Sequence, residues 1–133
     1  MSARANKTII RRYIHELNQR NPTVIDELVA EDFRPIVLEG YTRNITAFPD
    51  YQVTIEKMIA EADNVVLVWS HQGTHRGTYE GVPPTEKVII GRHISIYRLL
   101  NGQIIDADGV WDAASIWQQL GLIPGTDQIL AGH

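Results

Sequence analysis

The fold is decided by the stretch from Lys87 to Gly121, which reads KVIIGRHISIYRLLNGQIIDADGVWDAASIWQQLG. At its centre, Asn101 and Gly102 separate two runs that are rich in β-branched and aromatic residues. Asn-Gly between such runs is the strongest short-range signal of a β-hairpin with a type I′ turn. We therefore expect two antiparallel strands that are joined at this dipeptide.

The turn also sets which side chains share a face of the hairpin. The expected strand pairs are Leu100–Gln103, Tyr97–Asp106 and His93–Val110. Because successive side chains point to opposite faces, one face would hold a polar row of His93, Ser95, Tyr97, Asp106, Asp108 and Asp112. The other face would hold Arg92, Ile94, Ile96, Arg98, Ile105, Ala107, Gly109 and Trp111. The pattern leaves two interpretations open, since a polar row lines a cavity or forms the solvated face of a half-buried sheet. A bulge near Gly109 would also re-aim Asp112.

Length and composition narrow the class of protein. The chain has 133 residues, enough for one domain with a sizeable core. Its formal net charge of −4 argues against a nucleic-acid or anionic-membrane partner. Without cysteine it has no disulfide framework, thiol nucleophile or Cys-based zinc site. The first residues turn charged at once and no apolar run reaches membrane-spanning length, so we expect a soluble cytoplasmic protein.

Two helices are predicted ahead of the strands. A helix over about residues 6–19 is indicated by one apolar stripe of Ile10, Tyr13, Ile14 and Leu17. Asn21-Pro22 is a helix-start signal and predicts a second helix over about residues 22–30. Residues 34–50 show weak periodicity with interspersed Pro and Gly, which predicts mostly loop, packed down by Tyr41 and Phe48.

The rest of the chain divides into strands, a loop and a short helix. Residues 64–75 are a clear strand because they contain a β-rich run, whereas residues 51–61 fit a strand or a helix. Glycines and prolines mark a loop over about residues 77–86. A helix over residues 113–120 ends at Gly121. Residues 1–5 and 125–133 are expected to be poorly ordered tails of one domain that spans residues 1–133.

A set of short motifs runs in order through residues 48–121. It comprises Phe48-Pro49-Asp50, Asp63, Gly73-Thr74-His75, Gly77, Gly81-Val82-Pro83-Pro84-Thr85, Arg98, Gly102-Gln103-Ile104, Asp112 and Gln119-Leu120-Gly121. Together, at this spacing, they resemble the SnoaL-like polyketide cyclase family of the nuclear-transport-factor-2-like superfamily. Asp108 and Glu86 depart from the pattern, because the family usually has Trp and Gly at those positions.

The resemblance implies an α+β fold in which a cone-shaped, curved antiparallel sheet, an α+β barrel, wraps a deep pocket that N-terminal helices close. It implies that residues 51–61 form a strand. Relatives include polyketide cyclases that perform an intramolecular aldol condensation, related hydroxylases and, more distantly, ketosteroid isomerases and limonene-epoxide hydrolases. They typically use no metal or organic cofactor. An Asp near the end of the last strand is the acid/base in the cyclases, and Asp112 matches that position.

Three residues are the candidate catalytic groups. Asp112 would remove a proton α to a carbonyl, since a carboxylate in an apolar pocket has a raised pKa. An alternative is that Asp112 caps the following helix, because Asp is a preferred N-cap. His93 would polarise the carbonyl or return the proton, and Asp108 would orient His93 or act as a second acid. One His with a neighbouring Asp is a weak metal signal, so we expect no metal site.

Five residues are candidates for the substrate pocket, namely Trp69, His71, His75, Tyr97 and Trp111. His71 and His75 share one strand face with Trp69, and His75 has the alternative of holding the following loop. Tyr97 and Trp111 are expected on opposite faces of the hairpin, so that only one lines the cavity. We expect a hydrophobic, carbonyl-bearing small-molecule substrate.

Two rival functions stay open from the sequence. The first is an epoxide hydrolase-like or hydroxylase-like activity, in which two carboxylates and an arginine, Arg92 or Arg98, position a water. The second is a non-catalytic ligand-binding or interaction domain, since this scaffold hosts many functions. Ile94, Ile96 and Trp111 on one uncovered sheet face predict a homodimer.

Overall fold

The computed structural model of the protein describes residues 2–125, and within that range the chain forms four helices and four strands. The helices are α1 (Ala3–Asn18), α2 (Thr23–Leu28), α3 (Arg34–Ala47) and α4 (Ala113–Leu120), with a 3-10 turn at Glu31–Phe33. The strands are β1 (Gln52–Glu61), β2 (Asn64–Thr74), β3 (Val88–Leu100) and β4 (Gln103–Trp111). They form one curved, unclosed antiparallel sheet in the order β1-β2-β3-β4. The predicted α+β fold is confirmed.

Helix α1 is the amphipathic helix that the apolar stripe predicts, and it begins earlier than expected. The side chain of Ser2 accepts a hydrogen bond from the backbone N–H of Ala5, which caps the first turn. Residues 3–5, expected in a poorly ordered tail, are therefore helical. Residues 126–133 of the other expected tail lie outside the described residues.

The prediction of a loop over residues 34–50 is wrong, because residues 34–47 form helix α3. The helix has no apolar stripe, and Ala47 is its single buried residue, so the period that reveals a helix is missing. Pro35 lies in the first turn, where proline is tolerated, and therefore does not interrupt the helix. Phe48 is buried just after the helix and packs as an anchor, as expected.

Residues 52–61 form a strand, which settles the ambiguity in that segment. A bulge at Glu56 shifts the alternation of β1, since Ile55 pairs with Trp69 and Lys57 pairs with Val68. Val53 and Ile55 before the bulge, and Met58 and Ala60 after it, consequently pack against the core.

The hairpin turn is confirmed, but the predicted register holds for only the first two strand pairs. Asn101 and Gly102 have φ of 51° and 79°, as a type I′ turn requires, and Leu100 pairs with Gln103. Ile105 is then an extra residue in β4. Beyond it the pairs are Tyr97–Ala107, Ser95–Gly109 and His93–Trp111 instead of the expected Tyr97–Asp106 and His93–Val110. The bulge follows Ile104, whose carbonyl accepts a hydrogen bond from Ala30.

The register shift exchanges the side chains that β4 places on the two faces of the sheet. Trp111 joins His93 and Tyr97 on the inner face, so the prediction that Tyr97 and Trp111 lie on opposite faces is wrong. Asp106 and Asp108 pair with Arg98 and Ile96 and lie on the outer face. The predicted polar row of His93, Asp108 and Asp106 is therefore not formed.

The inner face of the sheet and helices α1 and α2 enclose the main core. Its largest fully buried side chains include Ile10, Val29, Leu67, Leu99 and Ile104. The outer face is different, because an apolar patch there stays between 43% and 69% exposed: Ile59, Ile94, Ile96 and Val110. In residues 2–125, no helix has both the length and the apolar character needed to cross a membrane.

Candidate active site

Two adjoining chambers lie between the helices and the inner face of the sheet. The first, of about 280 Å³, is apolar, and the second, of about 250 Å³, is more polar. Asn44, Tyr51 and Trp69 line both chambers and therefore form the boundary between them. A concave apolar site with a few convergent polar groups is the usual form of a small-molecule pocket.

The apolar chamber is walled by α1, α3 and the strands. Its lining includes Tyr13, Leu17, Val37, Tyr41, Val53 and Tyr97. The rings of Tyr13 and Tyr97 meet edge to face with centroids 6.2 Å apart. Burial raises the pKa of Tyr97 to about 12, so its phenol keeps its proton and can donate a hydrogen bond to a bound molecule.

The polar chamber contains a histidine pair. The Nδ1 atom of His71 on β2 lies 2.6 Å from the Nε2 atom of His93 on β3, which is hydrogen-bond distance. The two residues are diagonal neighbours, since His71 pairs with Gly91 and His93 pairs with Trp69. His71 is 5% exposed and His93 is half-buried.

Aromatic rings hold both imidazoles in place. Trp69, His93 and Trp111 are direct cross-strand neighbours on β2, β3 and β4. The His93 ring stacks on Trp69 with a centroid distance of 3.9 Å and an interplanar angle of 6°, and Trp111 lies nearly parallel on its other side at 6.1 Å. Tyr51 stacks on His71 at 5.1 Å. Trp69 is itself fixed, because its Nε1–H donates to the Ser95 hydroxyl over 2.9 Å.

Both imidazoles are uncharged near neutral pH. Desolvation by burial lowers the pKa of His71 to about 4. The pKa of His93 is also lowered to about 4, first by burial and second by the neighbouring His71. Protonation of either imidazole is therefore unfavourable near neutral pH, and a protonated ring of this pair would be a strong acid.

A neutral histidine pair with this contact has one accepting end and one donating end. If His93 Nε2 carries the shared proton, then His93 Nδ1 is free to accept and His71 Nε2–H is free to donate. If His71 Nδ1 carries it, the roles of the two outer nitrogens are reversed. Accepting a proton at one end while releasing one at the other moves the shared proton and exchanges the two forms. The pair can therefore act as acid and base in a single step.

Of the predicted catalytic residues, His93 lines a chamber and the two aspartates do not. Asp112 follows β4, is exposed, and accepts a hydrogen bond from the Ser115 backbone N–H over 3.0 Å, which makes it the N-cap of α4. It borders a separate groove that Arg92, His93, Val110 and Trp111 also line. Asp108 is exposed on the outer face and bonds the Gly109 N–H. The catalytic roles of Asp112 and Asp108 stay predictions.

The predicted pocket residues Trp69, His71, Tyr97 and Trp111 all line a chamber, and His75 does not. His75 is fully buried, and its Nδ1 accepts from the Thr85 backbone N–H over 3.2 Å and lies 2.9 Å from the Thr85 hydroxyl. These bonds hold the loop before β3, which is the alternative considered for His75.

Sequence reasoning missed the contribution of helix α3. Tyr41 lines the apolar chamber, Arg43 lines the polar one and Asn44 lines both. Val37, Tyr41 and Asn44 share one helix face at i, i+4 and i+7, but Asn44 is polar, so the sequence shows no apolar stripe that would reveal the helix. Within residues 2–125, no three His, Asp or Glu side chains converge as metal ligands would.

The comparisons with known proteins agree on the family. A sequence model of the SnoaL-like polyketide cyclase family matches residues 7–120. The chain therefore belongs to the SnoaL-like polyketide cyclase family, and the resemblance seen in the sequence motifs is confirmed. A comparison with functionally curated proteins finds no significant match.

Solved structures show the same fold at low sequence identity. AclR from Streptomyces galilaeus, provisionally named a hydroxylase, has a TM-score of 0.88 at 20% identity, covering 98% of this chain and 90% of its own. IdmH from Streptomyces antibioticus, provisionally named a polyketide cyclase, has a TM-score of 0.78 at 21% identity, and the match covers 87% of this chain and 98% of IdmH. A SnoaL-like protein from Jannaschia sp. CCS1 has a TM-score of 0.83 at 20% identity, and the match covers 92% of this chain and 95% of that protein.

Proposed function

We propose that this protein catalyses proton transfer at a carbon next to the carbonyl group of a flat, hydrophobic small molecule, as in an aldol cyclisation or an isomerisation. His71 and His93 are the acid and base. The observation that supports this most directly is their 2.6 Å contact beside an apolar chamber. Membership of the cyclase family and the cyclase name of the IdmH relative support the reaction class.

In the proposed step, the carbonyl compound fills the apolar chamber and extends its reacting end toward the histidines. The free nitrogen of the accepting imidazole takes the proton from the α carbon, and the C–H electron pair becomes the enolate π bond. As it does so, the shared proton crosses from the accepting ring to the donating ring. The donating ring releases its outer proton to the carbonyl oxygen or, in a later step, to a second carbon. General acid–base catalysis of this kind contributes typically ~10²- to 10⁴-fold.

The low pKa of the pair suits the return of the proton. A neutral imidazole can donate to a carbonyl without carrying a positive charge, and an imidazolium formed beside an enolate is a strong acid. The aromatic rings on both sides of His93 hold its imidazole in one orientation. Pre-organised donors in a desolvated site stabilise developing charge better than water does.

The rival activity with two carboxylates and an arginine has less support. Arg92 is on the outer face, where its guanidinium binds Glu56 over 2.8 Å, and Arg98 pairs with Asp106 on the same face. None of these groups lines either chamber. The proposed chemistry therefore depends on the histidines.

Exchange of α protons with deuterated solvent tests the proposal without knowledge of the natural substrate. A tetralone is a flat ketone of suitable character, and NMR follows the loss of its α protons. We expect the protein to accelerate exchange. The His71→Asn and His93→Asn variants should each reduce the catalysed exchange rate at least about tenfold. The exposed His15 provides the control variant His15→Asn. Exchange at the buffer rate, or exchange that both pair variants retain, would overturn the assignment.

We also propose that the protein is a homodimer that pairs through the outer face of its sheet. The exposed patch of Ile59, Ile94, Ile96 and Val110 is bordered by charged side chains, including Arg92, Arg98, Asp106 and Asp108. Apolar patches with a polar rim usually mark interaction sites. The mixed charges of the rim permit a two-fold pairing in which acidic and basic groups meet.

A further inference from the structure

One cationic side chain lines the candidate active site among the described residues, and it is Arg43 of helix α3. It borders the polar chamber together with His71 and His93, whose imidazoles are neutral near pH 7. Asn44, the next residue, lines both chambers. The side chain of Arg43 is exposed and therefore lies at the edge of the polar chamber, within reach of a molecule that enters it.

Five of the other arginines have partners, and the remaining three, Arg4, Arg11 and Arg98, line neither chamber. Arg12, Arg76 and Arg92 each form an ion pair with a glutamate. The guanidinium groups of Arg20 and Arg34 donate to backbone carbonyls. Within residues 2–125, Arg43 takes part in no ion pair or side-chain hydrogen bond. Its five N–H donors are therefore available for a planar anion such as a carboxylate.

The chamber also contains an acidic side chain, Glu80, beyond ion-pair distance from Arg43. Burial raises the pKa of the Tyr79 phenol, and both charges also act on it, since Glu80 raises this pKa further and Arg43 lowers it. A bound carboxylate would be attracted by Arg43 and repelled by Glu80. Their removal should consequently change affinity in opposite directions.

We propose that the cavity selects flat apolar molecules that carry a carboxylate, with Arg43 as the residue that binds the carboxylate. The apolar body occupies the chamber lined by Tyr13, Tyr41 and Tyr97, and the acid group reaches the polar chamber. This inference uses the cavity of the proposed function and names its substrate class as an aromatic or polycyclic carbonyl acid. Arg43 is a specificity residue and takes no part in the proton transfer.

Binding of naphthoate and its neutral isostere naphthamide tests the proposal on the unmodified chain. Quenching of tryptophan fluorescence reports binding, because Trp69 and Trp111 line the polar chamber. We expect naphthoate to bind at least about threefold more tightly, in line with a partly exposed charge pair. Arg43→Gln should remove that preference, and Glu80→Gln should strengthen naphthoate binding about twofold. Arg11→Gln is the control, because Arg11 is exposed on α1 and lines neither chamber.

Three results would overturn the proposal. These are equal affinity for the acid and the amide, a preference that survives in Arg43→Gln, and no binding of either compound up to its solubility limit. The assay involves no proton transfer, so its failure leaves the role of the histidines standing. Conversely, loss of the exchange activity proposed for the histidines would leave carboxylate binding unaffected.

Discussion

Gly91 on β3 lies directly opposite His71 on β2, and the imidazole ring of His71 occupies the space beside the Gly91 Cα atom. A Cβ atom at position 91 would overlap His71 Cε1 and would lie 3.0 Å from both ring nitrogens. The missing side chain is what allows the His71 ring to lie against β3 and reach His93. A glycine in the middle of a strand often marks such a close approach.

Gly91→Ala should therefore lower stability and separate the histidine pair. Overpacking a closely fitted site costs typically ~1–3 kcal/mol. We expect a loss of that size in the free energy of unfolding, measured by denaturant titration, together with altered imidazole nitrogen resonances of His71 and His93 in NMR spectra.

Gly40→Ala is the matched control for that substitution. Gly40 lies inside α3, and the nearest atom to an added Cβ is a guanidinium nitrogen of Arg43 at 3.9 Å. Replacing a mid-helix glycine by alanine typically stabilises by ~0.5–1 kcal/mol. If Gly91→Ala is as stable as the wild-type protein and leaves the imidazole resonances in place, the packing described here for His71 is wrong.

Stability should decrease on acidification before the carboxylates titrate. The folded-state pKa of His71 and of His93 is about 4, below the ordinary value of 6.5. Between these values the unfolded chain binds more protons than the folded chain, so the free energy of unfolding rises with pH. It should fall by up to about 1.4 kcal/mol per pH unit and per imidazole as the pH decreases below about 6.5.

Thermal unfolding between about pH 6.5 and pH 5 measures this slope, in a window above the pKa of most carboxylates. His71→Asn should flatten the dependence of Tm on pH, whereas His15→Asn on the exposed face of α1 should leave it unchanged. An unchanged slope in His71→Asn would mean that the imidazole of His71 is accessible to protons in the folded state.

The turn, the strands and the family were predictable because each rests on local signals. Asn101-Gly102 specifies a type I′ turn, and the motifs that resemble the family mark joints of the fold. Asp50, for example, accepts hydrogen bonds from the backbone N–H and hydroxyl of Thr74, which lowers the pKa of its carboxyl group. His75 holds the loop at Thr85 in the same way. Residues that hold loops in this way identify the fold but do not identify the catalytic groups.

The candidate site was harder to predict because it depends on contacts between distant segments. The bulge at Ile105 is associated with a bond from Ala30, far away in sequence, and no pattern within the hairpin signals it. One extra residue moved Asp108 outward and Trp111 inward. Helix α3 escaped prediction because it covers a cavity and buries little of its surface. The contact of His71 with His93 requires the β2–β3 register, which the sequence alone does not specify.

The outer face of the sheet should hold two copies of the chain together. Ile94 lies near the centre of the exposed apolar patch, beside Val68 and Val110 on the neighbouring strands. We expect light scattering at micromolar concentration to give twice the chain mass. Ile94→Lys should give the mass of one chain, because a buried unpaired charge opposes association.

Leu122→Lys introduces the same charge at another exposed apolar position, beyond α4, and should leave the dimer intact. A wild-type mass equal to one chain would refute the dimer. A dimer that persists in Ile94→Lys and dissociates in Leu122→Lys would place the interface elsewhere.

Substitutions at Asp112 distinguish a capping function from a catalytic one, because Asn caps a helix about as well as Asp but is not a base. Its carboxylate accepts from the Ser115 N–H and is exposed outside both chambers. We expect Asp112→Asn to retain both Tm and the α-proton exchange activity. Asp112→Ala should lose about 1 kcal/mol of stability through the missing cap and should also retain its exchange activity at a temperature where it is folded. A fall of about a hundredfold in Asp112→Asn at unchanged Tm would restore Asp112 as the base and would limit the histidine pair to binding the carbonyl.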